Sequence, residues 1–224
     1  MEKPIKISIE GNISCGKQIF IKHLKKKFNQ EFVCVQPNVK IERCDENIND
    51  LFYTNTDIYY SLNSWTNISN ICEFYKKRHN TYMITSRSVD THLNVLLYAS
   101  YDTNLIDNFT FKSVHKCIST TKDLIDNTYG VLDCVIYIRI DPNDLYAFLI
   151  TNGIYDSLNF KLIHNIHKKY EEYIELLKSS SINVITLNLD STLLNDLYFS
   201  TKKSIFKEVD NQLRELYPSL YLDS

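Results

Sequence analysis

The sequence predicts an α/β fold in which a parallel sheet of about five strands carries helices on both faces. Two features lead there: five short apolar, β-rich runs recur along the chain, and the segments between them are long and periodic enough to be helices. A third is local. The first run passes directly into a glycine-containing turn and then into an amphipathic segment, the strand–turn–helix order of a crossover connection.

In chain order, the first strand is expected over Ile5 to Ile9 and its helix from about Gly16, with Ile21, Leu24 and Phe28 turned inward. Phe32 to Val35 reads as the second strand. The segment from Ile48 to Lys77 is rich in aromatics and Asn and is expected to be helical. Tyr82 to Thr85, Cys134 to Ile140 and Asn183 to Leu189 complete the sheet. From Leu162 to Leu177, residues Ile163, Ile166, Tyr170, Ile174 and Leu177 fall on one helical stripe, and a final helix of the same character is expected from about Leu194 to Leu213. With no repeat, low-complexity run or Pro/Gly-rich linker, residues 1–224 are expected to form a single domain.

Composition narrows the function classes. A formal charge of −2 gives no bulk attraction to nucleic acid or anionic lipid, and no apolar stretch approaches the roughly 20 residues that cross a bilayer. Neither partner is expected. The Lys22, Lys25, Lys26 and Lys27 cluster lies on the outer side of its helix and reads as a solvated face. The opening residues enter a strand at once, without an apolar signal core or Arg-rich leader, which points to the cytoplasm. The 6 cysteines are scattered without a C-x-x-C pair, so neither a disulfide framework nor a structural zinc site is expected. His164 and His167 stand three apart on one helix without a further ligand at metal spacing, and no protein-built metal cluster is expected there.

Glycine is scarce, only 4 residues, yet two of them frame the segment Gly11-Asn12-Ile13-Ser14-Cys15-Gly16-Lys17-Gln18. The pattern is G-x-x-x-x-G-K after a strand and before a helix, the context in which backbone N–H groups and the lysine ammonium cradle a polyphosphate. This makes the fold a P-loop NTPase type and makes ATP the expected ligand of residues Gly11, Asn12, Ile13, Ser14, Cys15, Gly16, Lys17 and Gln18. The last position holds Gln18 where Ser or Thr usually ligates Mg²⁺, which weakens metal coordination. Cys15 inside the loop reads as structural filler ahead of an oxidation-sensitive thiol.

With Ile7-Ser8-Ile9-Glu10-Gly11-Asn12-Ile13 leading into Gly16-Lys17, the chain resembles the deoxyribonucleoside kinase family that includes deoxycytidine kinase, deoxyguanosine kinase and the mitochondrial thymidine kinase. Val35-Gln36-Pro37 resembles that family's "E-P" after the second strand, and Ser86-Arg87-Ser88-Val89 its "E-R-S" or "D-R-S" after the third. Cys134-Val135-Ile136-Tyr137-Ile138-Arg139 with Asp141-Pro142 resembles the strand that leads into its lid. The resemblance implies transfer of the γ-phosphoryl of a nucleoside triphosphate to the 5′-hydroxyl of a deoxynucleoside, with deoxycytidine a candidate, in nucleotide salvage. It also implies a homodimer, as family members commonly form. By the same resemblance Lys17 meets the phosphates, Arg87 the 5′-hydroxyl side, and Gln36, Tyr53, Ser64 and His92 the sugar and base. Abundant Asn, Ile, Lys and Tyr suit an A+T-rich genome such as that of a large cytoplasmic DNA virus.

The departures fall on catalytic positions. Gln36 stands where the family has the glutamate that accepts the hydroxyl proton, and losing a general base costs about 10² to 10⁴ in rate. Ser86 stands where the family has a carboxylate of the Mg²⁺ shell. Residues 140–160 contain neither Lys nor Arg, where the family's lid carries arginines. Arg139 is one candidate to replace a lid arginine, Asp90 to stand in for the acidic residue that His92 replaces, and Glu42 to supply the base. A catalytically degenerate member that binds nucleotide or a protein partner is the alternative reading, and a thymidylate-type monophosphate kinase is disfavoured by the empty lid.

Overall fold

A computed structural model describes residues 5–27, 32–35, 82–153, 159–200 and 204–221. Five parallel strands form its sheet: β1 (Ile5–Gly11), β2 (Phe32–Val35), β3 (Tyr82–Ser86), β4 (Cys134–Ile140) and β5 (Asn183–Leu189), in the order β2-β3-β1-β4-β5. The strands begin where the apolar runs begin, because a parallel strand covered on both faces needs apolar residues at nearly every position. Placing β1 between β3 and β4 opens a crevice at the carboxyl ends of the central strands.

Helices cover both faces. On one lie α1 (Lys17–Lys27), α4 (Pro142–Thr151), α6 (Ser191–Phe199) and α7 (Ser204–Leu216), packing Phe20, Leu24, Leu145, Leu149, Leu197 and Val209 against Ile7, Ile9, Ile136 and Ile138. On the other lie α2, α3 (Asn108–Tyr129) and α5 (Phe160–Lys178). Helix α2 is a continuous run of an α-helical turn (Val89–Thr91), a π-helical segment (His92–Leu96) and a second α-helical stretch (Leu97–Asp102). The α5 stripe of Ile163, Ile166, Tyr170, Ile174 and Leu177 is buried as its spacing predicts.

One expectation is corrected. The segment from Leu194 to Leu213 is two helices: α6, capped by Asp190, stops at Ser200, whose backbone is extended (φ −87, ψ 150), and α7 starts at Ser204. The stretch Ser200-Thr201-Lys202-Lys203-Ser204 offers no apolar residue to the core, and hydroxyl side chains compete with helical hydrogen bonding. The segment from Ile48 to Lys77 lies outside the described residues. No helix among the described residues is long and apolar enough to cross a membrane.

Candidate functional site

The glycine loop leaves β1 at the centre of the sheet and closes into α1. Gly11 and Gly16 have φ of 144 and 90, which L side chains rarely adopt. Space is as restrictive as torsion. A Cβ at Gly11 would stand 2.6 Å from Cys15 Sγ and 2.7 Å from the Ile138 carbonyl, and one at Gly16 would run into Leu197 of α6. Between them Ser14 is left-handed as well (φ 51), giving the alternation of backbone that makes an anion-binding concavity.

Three side chains tie this loop to different elements. Asn12 donates through Nδ2 to the Ile163 carbonyl of α5 at 2.9 Å and accepts from the Ile13 N–H at 2.8 Å. Ile13 packs against the cluster of α2 and α5. Tyr198 of α6 donates its hydroxyl to the Ser14 carbonyl at 2.7 Å. Cys15 is fully buried beneath Gly11, which supports the packing reading.

Lys17 turns its ammonium back into the loop and donates to the Gly11 carbonyl at 3.0 Å and the Asn12 carbonyl at 2.5 Å, with Cys15 Sγ at 3.5 Å. Burial pulls it down to about 8; Arg87 presses the same way, while Cys15 and Glu10 oppose. Among the described residues its hydrogen-bond partners are two backbone carbonyls and the Cys15 sulfur, with no carboxylate in hydrogen-bond contact. Next to it in sequence, Gln18 buries its carboxamide oxygen without a donor among the described residues.

The tip of β3 lies beside β1: Ile9 pairs with Ser86, and the Arg87 N–H donates to the Ile9 carbonyl at 3.0 Å. Arg87 adopts a left-handed backbone (φ 70), and its guanidinium buries an Nε–H that has no acceptor among the described residues. One turn on, His92 is buried; burial first, and Arg87 second, push its imidazole down to about 3, so it is neutral at any working pH. Ser86 is buried too. Thus the loop, Lys17, Gln18, Ser86, Arg87 and His92 meet at the carboxyl ends of β1 and β3. Gln36, Tyr53, Ser64 and Glu42 lie outside the described residues.

Sequence reasoning gave no role to Glu10. Its carboxylate is fully buried and accepts from the Ser8 hydroxyl (2.5 Å), the Ser88 N–H (2.8 Å) and the Tyr170 hydroxyl (3.1 Å). It anchors the first turn of α2, whose N-cap is Ser88, to the strand that carries the loop. A signal existed: Ser8 and Glu10 alternate with Ile7 and Ile9, so one face of a central strand is polar and needs partners. The partner Tyr170 carried none, since a tyrosine on an apolar stripe reads as core.

Two residues considered as substitutes for missing groups are committed elsewhere. Asp90 pairs with Lys122 of α3 at 3.2 Å, and burial pushes its carboxyl up while Lys122 opposes. Arg139 donates from Nε to Glu171 at 2.9 Å, beside the Tyr137 hydroxyl on the same oxygen.

A nucleoside triphosphate fits these residues: the loop is shaped for phosphate, the buried Lys17 ammonium can exchange its loop carbonyls for phosphate oxygens, and the half-buried Arg87 keeps a buried Nε–H without an acceptor among the described residues. A protein-held Mg²⁺ does not fit. Such an ion takes one or two carboxylates besides phosphate oxygens and waters. At the two positions that the resemblance assigns to it stand a carboxamide, Gln18, and a hydroxyl, Ser86. Among the described residues, no group of three or more His, Cys, Asp or Glu is placed to hold a metal.

Comparison with known proteins agrees with this geometry. A family model described as deoxynucleoside kinase matches residues 7–215. A protein of fowlpox virus (strain NVSL), named probable deoxycytidine kinase, is 22% identical over 224 residues, covering 97% of this chain and 92% of that one.

Proposed function

The chain belongs to the deoxynucleoside kinase family, and from that membership we propose that it transfers the γ-phosphoryl of ATP to the 5′-hydroxyl of a deoxynucleoside. The name of the fowlpox relative makes deoxycytidine the first substrate to try. One observation carries the reading: the buried Lys17 ammonium and the half-buried Arg87 guanidinium lie close enough to act on each other at the glycine loop, and the buried Arg87 Nε–H has no acceptor among the described residues. Donors left unpaired in a buried site cost stability unless a ligand takes them up, and a phosphorylated ligand supplies the acceptors.

In this reading the backbone of Gly11 to Gln18 receives the triphosphate, and Lys17 swings from its carbonyl partners to the β/γ-phosphates. Phosphoryl transfer is chiefly positioning and charge neutralisation, so these cations supply most of what the chain contributes. Arg87 orients the acceptor oxygen. His92, neutral and buried, reads the acceptor as a hydrogen-bonding group, together with Tyr53, Ser64 and Gln36. Gln36 is a carboxamide and takes no proton, so the hydroxyl proton leaves to water or with the phosphate, and turnover is slow by about 10² to 10⁴ relative to a site with a carboxylate base.

Ser86 favours a second reading, a chain that binds nucleotide without turning it over, because the hydroxyl is buried where the family resembled has an acid. One assay separates the two: labelled ATP and Mg²⁺ with each of the four deoxynucleosides, for the parent, Lys17→Ala, and Gln36→Glu with Ser86→Glu. Monophosphate formed by the parent and lost in Lys17→Ala supports the kinase. Product from the double revertant alone assigns the parent to the binding-only class. No product from either, with no ATP-induced stabilisation of the parent, would sink both.

A further inference from the structure

We propose that this site binds its nucleotide as the bare polyphosphate, through Lys17, Arg87 and the loop backbone, with an affinity that Mg²⁺ does not increase. The inference deepens the nucleotide reading above and rests on it.

Every acidic group that the described residues bring near the loop is already spent. Glu10, the nearest, has no exposed surface and holds three donors, from Ser8, Ser88 and Tyr170, across its two oxygens. Reaching a metal would mean breaking those bonds and detaching Ser88, the N-cap of α2. Asp90 faces α3, bound to Lys122, which Asp126 also holds. At the positions that would normally meet the ion, Gln18 and Ser86 present only neutral oxygens. The Gln18 oxygen is buried and without a donor among the described residues, one weak ligand where a hard dication needs charged ones.

The positive charge is instead built into the protein. Lys17 is 8% exposed, and Arg87 buries an N–H without an acceptor among the described residues. Mg²⁺ on the nucleotide cancels part of the negative charge that these two cations attract, and the described residues offer the metal no free carboxylate in return. Coulomb attraction therefore favours the metal-free anion.

The test is the melting temperature of the full chain with ATP or ADP, once in EDTA and once in excess Mg²⁺. An equal or larger upward shift in EDTA, lost in Lys17→Ala, is expected. A shift that appears only with Mg²⁺ overturns the inference and leaves the nucleotide reading standing; no shift under either condition overturns both. Gln18→Ser combined with Ser86→Glu gives the metal its two missing ligands, and Mg²⁺ should then tighten ATP binding by about tenfold. Should that variant fail to fold, calorimetric titration of the parent with ADP, with and without the metal, decides the question alone: tighter binding with Mg²⁺ refutes the proposal.

Discussion

Lys17 and His92 are both basic, both buried, and both held below their ordinary protonation range, the lysine at about 8 and the histidine at about 3. In each the unfolded chain binds a proton that the folded one releases earlier, so stability rises with pH between the folded and unfolded values. For His92 that window runs from about 3 up to the ordinary 6.5, and its contribution is lost as pH falls through it. For Lys17 it runs from about 8 to 10.5, where the cost of a buried ammonium is relieved. Ligand binding runs the other way, because only the ammonium attracts phosphate. Melting curves of the free chain should therefore gain stability above pH 8 while the ATP-induced shift shrinks. Lys17→Met should remove both the alkaline rise and the shift, and His92→Gln should flatten the acid slope. An ATP-induced shift that is undiminished at pH 9 would mean that Lys17 does not carry the binding.

Between elements, the loop is held by helices as much as by its own glycines. Asn12 ties it to α5 and Tyr198 ties it to α6. Tyr198→Phe removes one hydrogen bond and should cost about 1 kcal/mol. Asn12→Ala removes two and leaves the Ile163 carbonyl without that partner, so about 1–3 kcal/mol is expected. Both should weaken ATP-induced stabilisation beyond the loss of melting temperature, since an unmoored loop must be ordered by its ligand; equal shifts in parent and variants would show that the loop orders itself. Neither tie was legible in the sequence, because they depend on which helices the sheet order brings to the loop. The strands were legible almost to the residue, since burial on both faces writes a continuous apolar run such as Cys134 to Ile140. The glycine loop was legible for a related reason: a chain with so few glycines spends two of them there. The break between α6 and α7 was not, because Leu194, Leu197, Ile205, Val209 and Leu213 keep a helix-like spacing on either side of it. The π-helical segment at His92 left no mark that a 3.6-residue period would reveal.

At the scale of the molecule, the site is assembled from β1, the tip of β3, the start of α2, the middle of α5 and the end of α6, so it exists only when the sheet is complete. We propose for that reason that residues 1–224 act as one unit, whose least obvious part is α7. That helix covers α1 directly: Phe206 stacks on His23 at 4.0 Å and meets Phe20 edge-on at 5.2 Å, while Asp210 binds His23 at 3.2 Å and also Lys27. Just beyond it, Tyr217 donates to the Asp133 carbonyl at 2.9 Å, beside the start of β4. Removing α7 uncovers the outer side of the helix that Lys17 opens, together with the core contacts of Ile205, Val209 and Leu213. A chain ending at residue 203 should therefore lose its cooperative melt and its ATP response together. Asp210→Leu, which keeps the apolar packing and deletes only the charged contacts, should lower the melting temperature modestly and retain the ATP response. A truncated chain that still melts in one sharp step and still responds to ATP would make α7 an appendage, and the kinase unit would end with α6.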